Sequence, residues 1–386
     1  MIHAQRSDDP VVTARRHRRI GRALADFRRG LPVVFDAGTG GAGTDAAPAA
    51  LLVHASEHLD APALAMLRAE AGTADLRAFV TAARAAVLHI KPTGHPVVGV
   101  LVDPEMTART LRDLADPATD LENPLIGPFT RDRQPPGPSA MAAVKLAKIA
   151  QLLPAVTVAT VPEPASALAA RLDLLDLDAA SVLAHDDHAA RSLKALGKPV
   201  RLPLHDAATA RLQAFRAADG GPEHLAVIVG EPDRHTPVLA RIHSECFTGD
   251  LLGSMRCDCG EQLRGAIRQM AAAGGGVLLY LAQEGRGIGL INKLRAYRIQ
   301  DEGFDTVEAN LRIGFEADER VFLPAAEMLR ILGFPAVRLM TNNPDKVAGL
   351  EACGIPVAGR VPLAFTANAH NEFYLDTKRK KSGHYL

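Results

Sequence analysis

Three of the four cysteines in this chain of 386 residues lie close together in the sequence. They are Cys246, Cys257 and Cys259, within the segment "HSECFTGDLLGSMRCDCGEQL", whereas Cys353 lies far downstream. Four cysteines in a chain of this length are far fewer than a disulfide-stapled secreted domain contains. In a reducing compartment, clustered cysteines bind metals or perform redox chemistry more often than they form disulfides. The cluster therefore predicts a metal site.

The spacing of the cysteines suits zinc. Cys257 and Cys259 are two residues apart, so on an extended segment both side chains lie on the same face. Three thiolates without a fourth protein ligand are typical of a catalytic zinc, whose open position holds water. His243 could be a fourth ligand and close the site, so the spacing leaves open which kind of zinc site this is. The alternative is three small buried hydrophobic residues, which the neighbouring Asp, Glu, Arg and Ser residues disfavour.

Composition argues against nucleic acid and membrane as partners. Lys plus Arg equals Asp plus Glu at 44 each, so no global charge attracts polyanions. Trp is absent and aromatic residues make up 4% of the chain, which disfavours base-stacking surfaces. The N-terminal segment has no apolar core of a signal peptide, and no stretch reaches the roughly 18 apolar residues of a membrane span. We expect a cytoplasmic protein.

Length and patterning predict two domains of the mixed α/β (α+β) class. Helical and strand patterns alternate along the whole chain, which is typical of layered sheets and helices. The segment "HDAATARLQAFRAADGGPEHLAVIVG" begins a new hairpin pattern, with a Gly-Gly pair between two alternating runs. We therefore expect one α/β domain in residues 1–204 and a layered sheet-and-helix domain in residues 205–386.

Six blocks follow one another in the second half of the chain: "RIHSECFTGDLLGSMRCDCGEQL", "QEGRGIGLINKLRAYRIQDEG", "DTVEAN", "GFEADER", "TNNPDK" and "NEFYLDTK". Together they resemble GTP cyclohydrolase II, the zinc enzyme that opens the guanine imidazole ring at the start of riboflavin synthesis. The resemblance implies one catalytic Zn²⁺ per chain on Cys246, Cys257 and Cys259. It also implies GTP as substrate, Mg²⁺ on its triphosphate, release of formate and pyrophosphate, and a homodimer.

The same resemblance implies the residues of the nucleotide site. They are Arg241, Ile242, His243, Ser244, Glu245, Gln262, Glu284, Gly285, Arg286, Thr306, Thr341 and Lys346. Arg241, Arg286 and Lys346 match nucleotide-contacting positions, and arginine suits bidentate phosphate contacts. Arg286 lies in a Gly-rich turn between a strand and a helix, where backbone N–H groups face anions. The structural alternative for each of these cations is solvated surface charge.

Three further residues are implied as catalytic: Tyr297, Asp318 and Arg320. Asp318 and Arg320 match the proton acceptor and the nucleophile of the family. Residues two apart lie on opposite faces of a strand, so this pair cooperates only in an irregular segment. Because the pKa of arginine exceeds about 12, a nucleophilic guanidinium is unusual, and we expect Arg320 to stabilise phosphate charge instead. Tyr297 alone could be a core tyrosine of its helix, but the motif around it favours a functional role.

The order of elements in residues 1–204 resembles 3,4-dihydroxy-2-butanone-4-phosphate synthase, which is fused ahead of the cyclohydrolase in bifunctional riboflavin enzymes. The acidic metal loop of that family is replaced here by "GTGGAGTDAAPA", and its His-Thr-Glu stretch by "GPSAM". Magnesium sites need carboxylates, so we expect a degenerate, non-catalytic domain. Polar residues such as His54, Glu57 and His185 could form a new site, but caps and surface groups are the commoner role.

The sequence thus predicts a GTP cyclohydrolase II that yields 2,5-diamino-6-(5-phosphoribosylamino)pyrimidin-4(3H)-one. The alternatives are a related cyclohydrolase of another pathway, such as pyrimidine catabolism, a non-catalytic nucleotide-binding zinc protein, and a bifunctional enzyme.

Overall fold

The computed structural model describes residues 10–37, 49–72, 76–91, 93–120, 122 and 126–363. The loop "GTGGAGTDAAPA" except its last residue, the block "NEFYLDTK" and the basic C-terminal tail lie outside the described residues. Within the described part of the chain, no helix is long and apolar enough to cross a membrane.

The chain divides into two compact units. Unit 1 consists of Met1–His185 with Arg295–Glu302 and Glu308–Glu316, and unit 2 consists of Asp186–Leu294, Gly303–Val307 and Ala317–Leu386. The division at 185/186 precedes the expected boundary at 204/205. The reason is a strand at Lys194–Arg201, which pairs antiparallel with Arg211–Arg216 and so belongs to the second sheet. Two stretches from the second half of the sequence belong to unit 1.

Unit 1 contains a mixed six-stranded sheet. Its strands are β1 Val33–Asp36, β2 Ala50–Ala55, β3 Arg77–Thr81, β4 Val97–Leu101, β5 Ala155–Val161 and β6 Asp176–Leu177, in the order β4-β3-β5-β2-β1-β6. Its helices are α1 Pro10–Arg28, α2 Ala61–Ala71, α3 Ala82–Val87, α4 Ala108–Ala115, α5 Pro138–Ile149, α6 Ala165–Leu172 and α7 Ala179–Leu183. Asp60 caps the N-terminus of α2, because its side chain accepts a hydrogen bond from the Ala63 N–H at 2.8 Å.

A buried arginine organises one part of unit 1. Arg84, 1% exposed, forms a bidentate ion pair with Asp120, with N–O distances of 2.5 and 2.7 Å. It also donates to the carbonyl oxygens of Leu114 and Arg312, the latter from the returning stretch. The Thr81 hydroxyl donates to the carbonyl oxygen of Gly314 at 2.7 Å. These bonds hold residues 308–316 within unit 1.

Unit 2 contains a mixed seven-stranded sheet in the order β13-β12-β10-β11-β9-β8-β7. Its strands are β7 Lys194–Arg201, β8 Arg211–Arg216, β9 His224–Gly230, β10 Val238–Ser244, β11 Gly275–Leu281, β12 Val337–Met340 and β13 Val357–Val361. The helices of the second half are α8 His185–Arg191, α9 Cys259–Ala272, α10 Leu290–Asp301, α11 Thr306–Arg312, α12 Leu323–Leu332 and α13 Pro344–Ala352. Helices α10 and α11 contribute residues to both units.

The predicted mixed α/β class with two units is confirmed. The expected hairpin is present as β8 and β9, which pair antiparallel on either side of the Gly-Gly turn at 220–221. Strands β11, β10 and β12 are adjacent and parallel. Each is rich in buried aliphatic residues because both faces of the sheet are covered.

Candidate active site

The candidate site lies at one edge of the unit 2 sheet. Since β10, β11 and β12 are parallel, their carboxyl ends meet at the same edge. Glu245 follows β10, Gln283 and Glu284 follow β11, and Thr341 follows β12. In open α/β sheets this edge is the usual place for a ligand. The sheet order therefore gathers residues that lie far apart in the sequence.

The three clustered cysteines come together directly beyond β10. Their sulfur atoms all lie within 4.8 Å of one another, and those of Cys246 and Cys257 are 3.8 Å apart. Zn–S bonds of about 2.3 Å at tetrahedral angles also separate two sulfurs by about 3.8 Å. The donor set and its spacing thus fit a zinc ion held by Cys246, Cys257 and Cys259. Among the described residues, no other group of ligand side chains has this geometry.

Gly249 makes room for the cluster. It lies in a short π-helical turn, Phe247–Leu251, that begins directly after Cys246. A Cβ at this position would lie 2.7 Å from the Cys257 sulfur and 3.1 Å from the Cys246 sulfur. The Gly249 N–H also donates to the Cys246 sulfur at 3.3 Å. The turn therefore wraps the cluster closely, and only glycine fits.

Proximity perturbs the three thiols. Hydrogen bonds from Cys257 and Cys259 lower the pKa of Cys246 far below its ordinary value. The hydrogen bond with Cys246 raises the pKa of Cys257, and the hydrogen bonds with Cys246 and Cys257 raise the pKa of Cys259. One thiolate is therefore stabilised by two protonated neighbours, and keeping all three sulfurs ionised requires a compensating cation.

His243 is not a fourth member of the cysteine cluster. Its Nε2 lies 3.1 Å from both carboxylate oxygens of Asp250, and its ring stacks on Tyr280 at 5.6 Å between centroids. Asp250 also accepts hydrogen bonds from the Tyr280 hydroxyl at 3.0 Å and the Cys246 N–H at 3.1 Å. Burial lowers the pKa of His243. The group of described ligand side chains within 4.8 Å of one another consists of the three cysteines without His243, and the Asp250 contacts join His243 to the turn that bears Cys246.

Several buried polar atoms at this edge have no hydrogen-bond partner in the protein: Arg241 Nε, His243 Nδ1, Ser244 Oγ and Gln283 Oε1. Unpaired buried polar atoms are costly and rare in folded proteins. Three of these residues lie in the last four positions of β10, and Gln283 lies two residues after the end of β11. Such a concentration indicates a surface that is completed by a polar ligand.

Arg241 is the most deeply buried cation of the edge, at 4% exposure. It donates to the Met340 carbonyl oxygen at 3.1 Å and to the side chain of Gln262, whose amide in turn donates to Asp258. Burial lowers its pKa to about 10, an effect that the charge of Asp258 opposes. The predicted residues Arg241 and Gln262 thus form one network.

Lys346 and Thr341 lie at the carboxyl end of β12. The Lys346 ammonium is buried and donates to the Ile242 carbonyl oxygen at 2.8 Å. The Thr341 hydroxyl accepts the Asn343 N–H at 3.0 Å, which shapes the turn before α13. The Lys346 contact therefore links α13 to β10, and the Thr341 contact lies in the turn that leads from β12 into α13.

The Gly-rich turn after β11 has an unusual backbone. Gly285, Arg286 and Gly287 all have positive φ, at 63°, 64° and 94°. Arginine adopts this region rarely, and such strain clusters at functional sites. The Arg286 guanidinium donates to the Ala317 carbonyl oxygen at 3.2 Å, and the Arg286 carbonyl oxygen accepts the Glu319 N–H at 3.1 Å. The turn is thereby fixed against residues 317–319.

Asp318 and Arg320 form an ion pair. They lie in an irregular segment, which is the condition under which residues two apart can cooperate. The Arg320 Nε donates to the two Asp318 oxygens at 2.8 and 3.1 Å, and its Nη2 also donates to the carboxylate. Burial alone would raise the pKa of Asp318, but the hydrogen bonds and charge of Arg320 outweigh it and lower the pKa. Asp318 is therefore ionised at neutral pH.

Glu284 and Glu245 differ in their surroundings. Glu284 is buried and accepts hydrogen bonds from the Phe247 N–H at 2.6 Å, the Gly285 N–H at 2.9 Å and the Lys293 ammonium at 2.8 Å. Its carboxylate is thus occupied by protein donors. Glu245 is half-buried, and burial followed by repulsion from Glu284 raises its pKa. Of the two predicted carboxylates, Glu245 is the more available to a ligand.

The remaining predicted residues lie on α10 and α11. Tyr297 is half-buried on α10, in the stretch Arg295–Glu302 that belongs to unit 1. Thr306 is the first residue of α11 and belongs to unit 2. Their roles stay predictions.

Comparison with known proteins identifies the family. Residues 197–362 match the family model described as GTP cyclohydrolase II. A GTP cyclohydrolase-2 from Azospirillum brasilense is 49% identical over 375 residues, which cover 95% of this chain and 94% of that protein. The chain belongs to the GTP cyclohydrolase II family. The GTP cyclohydrolase-2 of Escherichia coli (strain K12 / DH10B) is 57% identical over 172 residues, covering 45% of this chain and 88% of that enzyme.

The chain is therefore an enzyme of the GTP cyclohydrolase II family whose N-terminal half is shared with the Azospirillum relative. A solved two-domain 3,4-dihydroxy-2-butanone 4-phosphate synthase from A. baumannii aligns with 90% of this chain and 99% of its own, at 16% identity and a TM-score of 0.33.

Four residues contact the cysteine segment of the candidate site but are not indicated by the sequence analysis: Lys293, Gly249, Asp250 and Tyr280. Gly249 and Asp250 lie inside the quoted cysteine segment, so their position in a Gly-Asp turn beside Cys246 could have indicated them. Lys293 and Tyr280 contact this segment only through the fold, and nothing local to them indicates it.

Proposed function

We propose that this chain hydrolyses GTP in a zinc-dependent reaction that opens the imidazole ring at C8. The products are formate, pyrophosphate and 2,5-diamino-6-(5-phosphoribosylamino)pyrimidin-4(3H)-one, the first intermediate of riboflavin biosynthesis. The observation that supports this most directly is the cluster of Cys246, Cys257 and Cys259 within 4.8 Å, beside polar atoms that lack protein partners.

Cys246, Cys257 and Cys259 would hold one zinc ion per chain and leave a position open, because the ligand group among the described residues does not include His243. When bound, zinc supplies a Lewis acid that activates water near neutral pH. The polar atoms along β10 and after β11, on Arg241, Ser244 and Gln283, would bind the nucleotide and orient the base toward the sulfurs.

Arg286 and Lys346 would contact the phosphates, and Mg²⁺ would arrive with the triphosphate. The turn that bears Arg286 is anchored on both sides, which favours a fixed cation over a mobile surface group. Asp318, held ionised by Arg320, is suited to accept a proton. Since the Arg320 guanidinium donates to this carboxylate, its role is to position Asp318 and to offset phosphate charge rather than to attack as a nucleophile.

The N-terminal unit has no synthase activity in this proposal. Glu57, a partly buried carboxylate of this unit, accepts the Leu153 N–H at 2.7 Å and pairs with Arg295 at 2.6 Å. His54 Nδ1 lies 2.9 Å from the Ala55 carbonyl oxygen. These side chains therefore serve the structure. A homodimer and a cytoplasmic location stay predictions.

The zinc assignment is tested by comparing Cys257→Ser with Cys353→Ser. Cys353 is a partly buried free cysteine at the end of α13, outside the cluster. We expect Cys257→Ser to lose zinc and turnover together, because serine is a poorer zinc ligand, and Cys353→Ser to keep both. Metal analysis and formate release are measured on the same preparations. Full zinc occupancy in Cys257→Ser would exclude this ligand set.

A further inference from the structure

Lys293 is a buried lysine that lies against one of the three cysteines. It is 8% exposed, and its ammonium donates to the Cys246 sulfur at 3.1 Å, the Thr248 hydroxyl at 2.8 Å and Glu284 at 2.8 Å. These three acceptors match the three N–H groups of an ammonium. A buried lysine is unusual unless it is paired, and here each N–H group of the ammonium has an acceptor.

The partners of Lys293 tie two segments of the site together. Cys246 and Thr248 belong to the turn that wraps the cysteine cluster, and Glu284 begins the Gly-rich turn after β11. Glu284 is itself bonded to the Phe247 N–H at 2.6 Å. The Lys293 ammonium and the Glu284 carboxylate therefore connect the cysteine turn to the Gly-rich turn that contains Arg286.

We infer that Lys293 is a positioning residue of the metal centre, which fixes the Cys246 sulfur and offsets the negative charge of the three thiolates. This inference rests on the proposed zinc site. Three thiolates around a divalent ion leave one negative charge, and a lysine in contact with one sulfur neutralises it without occupying a coordination position. Charge-assisted hydrogen bonds of this kind are the strong ones.

The direct test is zinc retention by Lys293→Met, which preserves length and removes the charge. Loss of such supporting contacts weakens metal binding about 10- to 100-fold, and we expect this range in competition with a chromogenic chelator. Lys293→Arg keeps a cation and should retain zinc better than Lys293→Met. Lys148→Met, a half-buried lysine of unit 1, is the control and should bind zinc like the unaltered protein.

Wild-type zinc affinity in a folded Lys293→Met protein would overturn the inference while leaving the zinc site intact. Absence of zinc from the unaltered protein would instead refute the proposed function. If Lys293→Met does not fold, Thr248→Val removes one acceptor of the ammonium and keeps the charge. We then expect zinc to be released several-fold faster, and an unchanged release rate would equally overturn the role of Lys293.

Discussion

Gly249→Ala should disable the metal centre without altering a single ligand. The added Cβ would lie 2.7 Å from the Cys257 sulfur, 2.9 Å from the Cys259 Cβ and 3.1 Å from the Cys246 sulfur. Restoring an ordinary contact of 3.4 Å requires the Cys257 sulfur to move by 3.4 − 2.7 = 0.7 Å. Metal–ligand distances tolerate only about 0.2 Å. The methyl group would therefore displace a ligand sulfur by more than a zinc site tolerates.

The cost of the substitution can be estimated from packing. Overfilling a close-packed site costs about 1 to 3 kcal/mol, which corresponds to zinc binding that is about 5- to 150-fold weaker. The backbone of Gly249 is not left-handed, so the effect is steric rather than conformational. Gly359→Ala is the matched control, because this glycine lies in the same unit with nothing within 4 Å of an added Cβ.

The assay is zinc content after dialysis, followed by chelator competition and formate release, on Gly249→Ala and Gly359→Ala prepared side by side. We expect the first variant to be folded, zinc-poor and inactive, and the second to match the unaltered protein. If Gly249→Ala retained one zinc per chain with unchanged affinity and turnover, the close wrapping of the cluster by its turn would be wrong.

Three further predictions concern charge. Burial lowers the pKa of His224 to about 4, and its Nδ1 accepts the Ala282 N–H at 3.1 Å, so between about pH 6.5 and 4 only the unfolded chain takes up the proton. The free energy of unfolding of the unaltered protein should therefore decrease as the pH drops through this window. In urea unfolding, His224→Gln should show a decrease that is smaller by about 1 to 2 kcal/mol. An equal decrease in both proteins would contradict this. Arg84→Met should lower the free energy of unfolding by about 3 to 5 kcal/mol, because the buried Asp120 carboxylate loses its bidentate partner and keeps the longer contact with Arg312 at 4.0 Å. A loss below about 1 kcal/mol in denaturant titrations would refute the role of the pair. Arg286→Ala should weaken GTP binding about 10- to 100-fold, from a charge-assisted bond of about 1.5 to 3 kcal/mol, with little effect on guanosine; equal losses in calorimetry would exclude a phosphate contact.

Local patterns were sufficient to predict the element types and part of the site. Alternation around the Gly-Gly pair predicted the β8–β9 hairpin. The cysteine spacing indicated a metal cluster because all three residues lie within 14 positions, from Cys246 to Cys259, and close through one short turn. Such features depend on neighbours in sequence, where propensity and turn chemistry act.

Long-range arrangement was not predictable in the same way. Lys293 reaches Cys246 across 47 positions, and the Tyr280 hydroxyl reaches Asp250 across 30. These contacts follow from the sheet order, which one sequence does not specify. The sequence also does not show that the Glu284 carboxylate is occupied. One of its donors, the Phe247 N–H, comes from a segment 37 positions away. Likewise, the pairing of β7 with β8 moved the division between units ahead of the expected boundary.

The central claim is tested most directly by supplying GTP and Mg²⁺ to purified full-length protein that contains one zinc per chain. The products are then identified and counted by mass spectrometry and a formate assay. The account predicts one formate and one pyrophosphate per GTP, together with 2,5-diamino-6-(5-phosphoribosylamino)pyrimidin-4(3H)-one. Unchanged GTP, or a product that retains the C8 carbon, would contradict it.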